Sequence, residues 1–246
     1  MKISHPANGP SRSGLDDGRT LRAAPRLRRA GLRLALALGL VVTQQPTLTS
    51  AAEGAGWVPL FDGKTLNGWR QINGLAKYEV RDGAILGTSV PNSPNSFLCT
   101  TRDYADYELE FEVRVHPELN SGVQIRSQSK PDVQNGRVHG YQVEIAIGGY
   151  SGGIYDESRR NKFLNAENEP SAKIRELLKK GAWNKYRVVC RGDHIQTWVN
   201  DVPVTDLHDS MTASGFIGLQ VHGVGDRTDP LTVEWRNLRL REIKAK

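Results

Sequence analysis

Short runs of alternating apolar and polar residues recur along most of the chain. In the cleanest, Tyr107–Val115, apolar side chains fall on one side and Glu108, Glu110 and Glu112 on the other. A period of two residues marks a strand with one buried face. Tyr78–Val80 and Ala84–Leu86 flank Asp82-Gly83 and predict a hairpin. Similar strands are expected at Phe97–Thr100, Val123–Arg126, Gly140–Ile145, Tyr186–Arg191, Ile195–Val199, Val202–Val204, Phe216–His222, Leu231–Trp235 and Leu238–Leu240. One segment, Ser171–Leu178, has helical spacing, with Ile174, Leu177 and Leu178 on one stripe. Some dozen short strands, one short helix and no strand–helix alternation predict an all-β sandwich.

The first fifty residues break this pattern. Arg26, Arg28, Arg29 and Arg33 accompany the apolar run Leu32–Val42, and the small residues Ser50-Ala51-Ala52 follow. This is the order of a secretory signal, and Arg28-Arg29 also allows twin-arginine export. The apolar run is too short to span a bilayer, which takes about 20 residues, so no stable membrane anchor is expected. The reading divides the chain into residues 1–52, a polar segment with an export signal, and residues 53–246, a single domain in the periplasm or outside the cell.

That division changes the meaning of the charge. The whole chain carries a formal +6, from 33 basic and 27 acidic residues. Eight of the basic and two of the acidic residues lie in residues 1–52, so the remainder is neutral. A nucleic-acid partner, which needs a basic footprint, loses its support. The two cysteines, Cys99 and Cys190, could pair in an exported protein or remain buried thiols.

Candidate chemistry gathers where strands offer polar pairs on one side: Gln124 with Arg126, Gln142 with Glu144, and Gln220 with His222. Three such pairs suggest a polar concave face rather than a wetted sheet. The pivotal strand, Gly140–Ile145, runs into a loop from Gly148 to Arg160 that is rich in glycine and then in Tyr155, Asp156, Glu157, Arg159 and Arg160. This inventory suits proton transfer on a neutral polar substrate. His222 or Glu144 can be the base, and Tyr155 or Glu157 the acid. Arg126 and Gln142 can steady a developing oxyanion, with Gln220, Arg160 and Asn120 as further substrate contacts. Trp57, Trp69, Trp183 and Trp198 could stack on sugars, though core packing suits most of them better. No transition-metal spacing is present, and no cofactor is expected; calcium at Asp156 and Glu157 stays open. A retaining glycosidase would place a second carboxylate beyond Glu144 on its strand face, where Ala146 stands.

At these residues the chain resembles the 3-keto-disaccharide hydrolase family of exported bacterial proteins. The matching pieces are Trp57–Trp69, Asn120–Val123, Gly140–Gln142, Gly153–Glu157, Trp183-Asn184, Trp198–Asn200, Gly218–Gly223 and Trp235–Leu238. The resemblance implies a concanavalin A-like jelly roll of two antiparallel sheets with a concave polar face. It also implies a glycoside or oligosaccharide substrate already oxidised at C3. Asn200-Asp201 departs from the family's usual Asn-Gly turn, and Glu144 stands where Asp is common. The rival expectation is a non-catalytic, lectin-like carbohydrate-binding module on the same fold.

Overall fold

The structure, a computed structural model, describes residues 56–147, 150–165 and 177–244. The expected export segment lies outside the described residues, as does the expected helix except for its last two residues. The described residues belong to one compact unit, Ser50–Lys246.

Fourteen strands follow one another among the described residues: β1 (Val58–Pro59), β2 (Trp69–Ile72), β3 (Lys77–Arg81), β4 (Ala84–Thr88), β5 (Ser96–Thr100), β6 (Tyr107–Val115) and β7 (Ser121–Gln128). Then come β8 (His139–Ile145), β9 (Ile154–Glu157), β10 (Asn184–Arg191), β11 (His194–Val199), β12 (Val202–His208), β13 (Phe216–Val221) and β14 (Thr232–Glu242). They form two sheets with antiparallel neighbours throughout. The outer sheet runs β12-β11-β10-β6-β14-β4-β3, with β1 also on β14; the inner sheet runs β2-β5-β13-β7-β8-β9. This is a concanavalin A-like jelly roll.

Alternation explains the packing. Leu109, Phe111 and Val113 of β6, Tyr186 and Val188 of β10, and Val233 and Trp235 of β14 face Val123 and Ile125 of β7, Tyr141, Val143 and Ile145 of β8, and Leu219 of β13. All are essentially fully buried. Each such aliphatic or aromatic side chain contributes roughly 1.5–3 kcal/mol through burial. On the other face of the outer sheet, the acidic row of β6 is paired rather than merely solvated. Glu108 accepts from Arg187 and Arg241, Glu110 from Arg239, and Glu112 from Arg236. The guanidinia cover indole rings: Arg114 and Arg236 lie against Trp183, Arg187 against Trp198, and Arg239 and Arg241 against Trp57.

The main departure from simple alternation is in β7. Ile125 pairs with Tyr141 but Gln128 pairs with His139, so β7 carries one residue more than β8. The same shift recurs against β13. The extra residue is Arg126, at φ 46°, in the left-handed region. This β-bulge turns Arg126 off the face of Gln124 and brings Ser127 onto it. The Arg126 side chain is fully buried and spans to Ala105 O (2.6 Å), Gly192 O (2.6 Å) and Asp106 Oδ1 (2.8 Å). It ties the strand to its surroundings and is not a cleft residue, contrary to the expectation from alternation.

The two cysteines are free and buried, Cys190 in the intersheet core and Cys99 in a small cluster with Phe97, Val138 and Phe216. Burial raises both thiol pKa values, Cys190 to about 11, so neither is poised as a nucleophile.

Replacing Arg126 with Ala leaves two carbonyls without its donors and Asp106 with only the Gly192 N–H. We expect a loss of about 3 kcal/mol in urea melts, the low end for a broken buried pair because Asp106 is partly exposed. Activity per folded molecule should persist; a selective loss of activity at unchanged stability would return Arg126 to the site.

Candidate active site

The exposed face of the inner sheet is built by register. Gln124 lies opposite Gln142, Gly122 opposite Glu144, Gln142 opposite Tyr155, and Gly140 opposite Glu157. These side chains therefore share one face. Gly122 is required there: a Cβ at that position would come within 2.6 Å of Gln142 Cγ and Cδ. The Gln142 side chain lies in the room this glycine leaves.

A directed hydrogen-bond chain results. Ser127 Oγ donates to Gln124 Oε1 (2.6 Å), Gln124 Nε2 to Gln142 Oε1 (2.7 Å), and Gln142 Nε2 to Glu144 Oε1 (2.6 Å). A carboxylate can only accept, which fixes both amides in this orientation. Asn120 Nδ2 donates to the other oxygen of Glu144 at 3.3 Å. The amide of Gln142 is thus committed on both sides and orients Glu144 instead of meeting an oxyanion itself.

The cleft above this floor has a volume of about 510 Å³, within the range that holds small ligands. The segment between β7 and β8 reaches back to the β2–β3 turn, where Asn73 Nδ2 donates to Gly136 O and Val138 N donates to Asn73 Oδ1. Arg137, between those two anchors, lines the cleft. Its Nε donates to Ser158 Oγ (2.5 Å) and an Nη reaches Glu157 Oε1 at 3.4 Å. Asn95 Nδ2 also reaches Glu157, and its Oδ1 accepts from Gly223 N at 3.0 Å. That bond holds the turn carrying His222. His222 Nδ1 lies 2.8 Å from Gly223 O. A carbonyl only accepts, so Nδ1 carries the proton and Nε2 of the neutral ring keeps its lone pair. Tyr150, Phe163 and Asn161 complete the wall beside Tyr155.

Glu144 is the chemically unusual group. Burial pushes its pKa up to about 7; the bonds from Gln142 and Asn120 oppose the rise, and Glu157 adds to it. No arginine, lysine or histidine pairs with it among the described residues. Burial also raises Tyr155, with Glu157 and Glu144 adding to the shift, so its phenol stays protonated at neutral pH.

Of the expected residues, His222, Glu144, Tyr155, Glu157, Gln142 and Asn120 meet in this cleft. Three do not. Arg126 is turned away by the bulge. Arg160 is bound to Asp156 and, at 2.7 Å, to Asp209 on the other side of β9. Gln220 faces the same side of the sheet but is buried, and its amide has no partner among the described residues. The expected loop from Gly148 to Arg160 contains β9, on which neighbours point to opposite faces, so Asp156 turns away from Tyr155 and Glu157 and Arg160 follows it through their ion pair. For the same reason Asp156 and Glu157 do not converge on one cation. Among the described residues no group of three or more His, Cys, Asp or Glu side chains could hold a metal. Of the four tryptophans offered as sugar-stacking candidates, Trp69 is buried, with Nε1 donating to Leu60 O, and Trp57, Trp183 and Trp198 lie under arginines on the outer face; none lines the cleft. Arg137, Asn95, Asn161 and Phe163 were not anticipated. They come from irregular segments or from after β9, where alternation carries no signal.

The fold recurs in known structures. A candidate glycosyl hydrolase from Parabacteroides distasonis superposes with a TM-score of 0.56 at 15% identity, covering 77% of this chain and 94% of that one. The carbohydrate-binding module CBM66 from Bacillus subtilis gives 0.53 at 17% identity, covering 71% and 96%. In sequence, the chain is 23% identical to the 3-keto-disaccharide hydrolase of Bacteroides thetaiotaomicron over an alignment of 253 residues, covering 83% of this chain and 84% of the relative. Residues 56–241 match the family described as the 3-keto-alpha-glucoside-1,2-lyase-like domain, and the chain belongs to that family.

Proposed function

We propose that the protein is an exported enzyme that cleaves the glycosidic bond of 3-keto-glycosides by elimination and hydration, with Glu144 as the base. The observation that carries the proposal is a buried carboxylate whose pKa is pushed to about 7, aimed into a polar cleft without a cation beside it. A module that only binds sugar has no need of such a group, because burying an unpaired carboxylate costs stability. A base with a pKa near the working pH is what proton abstraction requires. The curated relative's name supports the substrate class.

A ketone at C3 acidifies the hydrogen on C2. Glu144 takes that proton, and the C–H electrons delocalise onto the C3 oxygen. Arg137, half-exposed and facing the cleft, is the cation available to that oxygen. The enolate then reforms the ketone and makes a C1–C2 double bond while the C1–O bond breaks. Tyr155 gives its proton to the departing oxygen. Water adding across the double bond, oxygen to C1 and proton to C2, completes a net hydrolysis. His222, with Nε2 unprotonated, accepts from a substrate hydroxyl at the mouth, and Glu157 holds Arg137 in place.

The base assignment is read by kinetics on 3-keto-trehalose or 3-keto-lactose. Glu144→Gln should lower kcat by about 10²–10⁴-fold, whereas His222→Ala should act mainly on KM and by less than about tenfold. In the wild type kcat/KM should rise with pH and level off above about 7, because the base must be ionised. Undiminished turnover in Glu144→Gln would remove Glu144 from the chemistry.

The same shift predicts a stability effect. The folded state holds the Glu144 proton more tightly than the unfolded chain, so stability is lost as pH rises from about 4.5 to about 7. Glu144→Gln avoids this loss and should be more stable than wild type above pH 7 by roughly 3 kcal/mol, with the gap closing toward pH 4. Urea melts at several pH values would show it; a gap independent of pH would contradict the buried charge.

Export belongs to the same proposal. Mass spectrometry of the chain recovered from the periplasm or medium should show a new N-terminus near Ala52, and recovery of the uncut chain in the cytoplasm alone would count against it.

A further inference from the structure

The cleft lining is chemically divided into polar side chains, Arg137, Asn95 and His222 among them, and three aromatic rings, Tyr150, Tyr155 and Phe163. Tyr150 and Phe163 are stacked, with centroids 4.8 Å apart and planes 15° apart. Phe163 also meets Tyr155 edge-on at 5.2 Å and 65°. Tyr150 is one of few exposed large apolar-bodied side chains, at 38% exposure. One of its faces is covered by Phe163, and the residue lines the cleft.

The support beneath these rings is built rather than incidental. Phe163 is bridged to Tyr155, Leu164 N donates to Ile154 O, and Asn165 Oδ1 accepts from Ile154 N at 2.8 Å. Asn165 Nδ2 in turn donates to Thr205 Oγ1 of β12 at 2.8 Å. The segment that carries Phe163 is therefore fixed to β9, and Phe163 fixes Tyr150.

Resting on the catalytic reading above, we propose that Tyr150, backed by Phe163, forms the subsite for the leaving group, and that the enzyme selects substrates whose leaving group is itself a ring. The reasoning is positional. The acid that protonates the leaving oxygen must stand beside it, and Tyr155 adjoins the stacked pair. The group beyond that oxygen is then placed against the aromatic rings, while the oxidised ring is placed toward Arg137 and His222. A pyranose presents axial C–H groups with partial positive charge, which fit the negative face of a phenol ring. A flat aryl leaving group would use the same surface, and a methyl group is too small to reach it.

The experiment compares 3-keto-trehalose, a phenyl 3-keto-glucoside and a methyl 3-keto-glucoside as substrates for wild type, Tyr150→Ala and Tyr150→Trp. Wild type should favour the two ring-bearing leaving groups over methyl by roughly tenfold or more in kcat/KM, beyond the difference in leaving-group acidity. Tyr150→Ala should collapse that preference, and Tyr150→Trp should keep it. If sugar and phenyl behave alike, the surface reads flatness; if only the sugar is favoured, it reads the pyranose face. An equal loss on all three substrates in Tyr150→Ala, or an unchanged preference, would overturn the subsite. The same three ligands are also titrated calorimetrically into Glu144→Gln, with and without Tyr150→Ala. Tighter binding of the ring-bearing ligands that depends on Tyr150 supports the subsite even if wild type turns over none of them, a result that would reject the catalytic reading alone. No such dependence in the titrations rejects the subsite.

Discussion

Everything in the cleft depends on one carboxylate held among amides rather than beside a cation. Glu144 is buried, yet its hydrogen bonds come from Gln142 and Asn120, which are neutral. Neutral donors stabilise the ionised form less than an arginine would, so desolvation dominates and the group stays basic. The amides in turn need the chain that begins at Ser127 and the empty side of Gly122. A side chain at Gly122 would displace Gln142, and Gln142 would then release Glu144. The bulge in β7, the strand beside the carboxylate's own, starts this chain, because the extra residue at Arg126 puts Ser127 on the cleft face; the carboxylate at the other end sets its direction.

The two sheets divide the polar residues between them. The outer sheet places its glutamates and arginines in alternating pairs and lays the arginines over tryptophans. Exposed pairs of this kind are worth only about 0.2–1 kcal/mol each, and the stacking on indole adds a comparable amount per contact. Their more evident effect is that the outer face consumes most of the strand charge of the domain. The cleft face of the inner sheet is left with amides, two separated carboxylates, Glu144 and Glu157, and few cations, a composition suited to a neutral, hydroxyl-rich ligand.

Alternation made much of this legible. It located β6 to its termini and the strands carrying Gln142, Glu144 and Gln220, with His222 one residue past the end of β13, because one buried face fixes the phase of a strand. It failed where phase was broken. Arg126 was assigned to the cleft because it stands two residues from Gln124, and a single left-handed residue reversed it. Arg160 was counted with Tyr155 because the stretch through Glu157 read as loop, whereas β9 sends Asp156 and its arginines to one side and Tyr155 and Glu157 to the other. Gln220 does lie on the expected face, but alternation carries no measure of how deeply it is buried there. Arg137 was invisible for a related reason: its position follows from two bonds to Asn73, more than sixty residues away in sequence.

The second carboxylate changes what kind of glycoside chemistry the cleft can support. From the sequence, Ala146 removed the partner that a retaining glycosidase would need on the strand of Glu144. The structure supplies a carboxylate from the next strand, Glu157, so a count of acidic residues alone would restore the two-carboxylate mechanism. The surroundings argue otherwise. Glu157 accepts from Arg137, Asn95 and Ser158, so it is already engaged as the partner of a guanidinium. Glu144, lacking a cation, is the group that can exchange a proton near neutral pH. The environments separate the two carboxylates into a partner for Arg137 and a proton site. Glu157 keeps a guanidinium in a cleft that otherwise has none among the described lining residues. A nucleophile attacking C1 would gain little from that guanidinium, because the oxocarbenium-like centre there is itself positive. An enolate oxygen at C3 would gain a great deal, and this sign difference is the physical argument for the elimination proposed above.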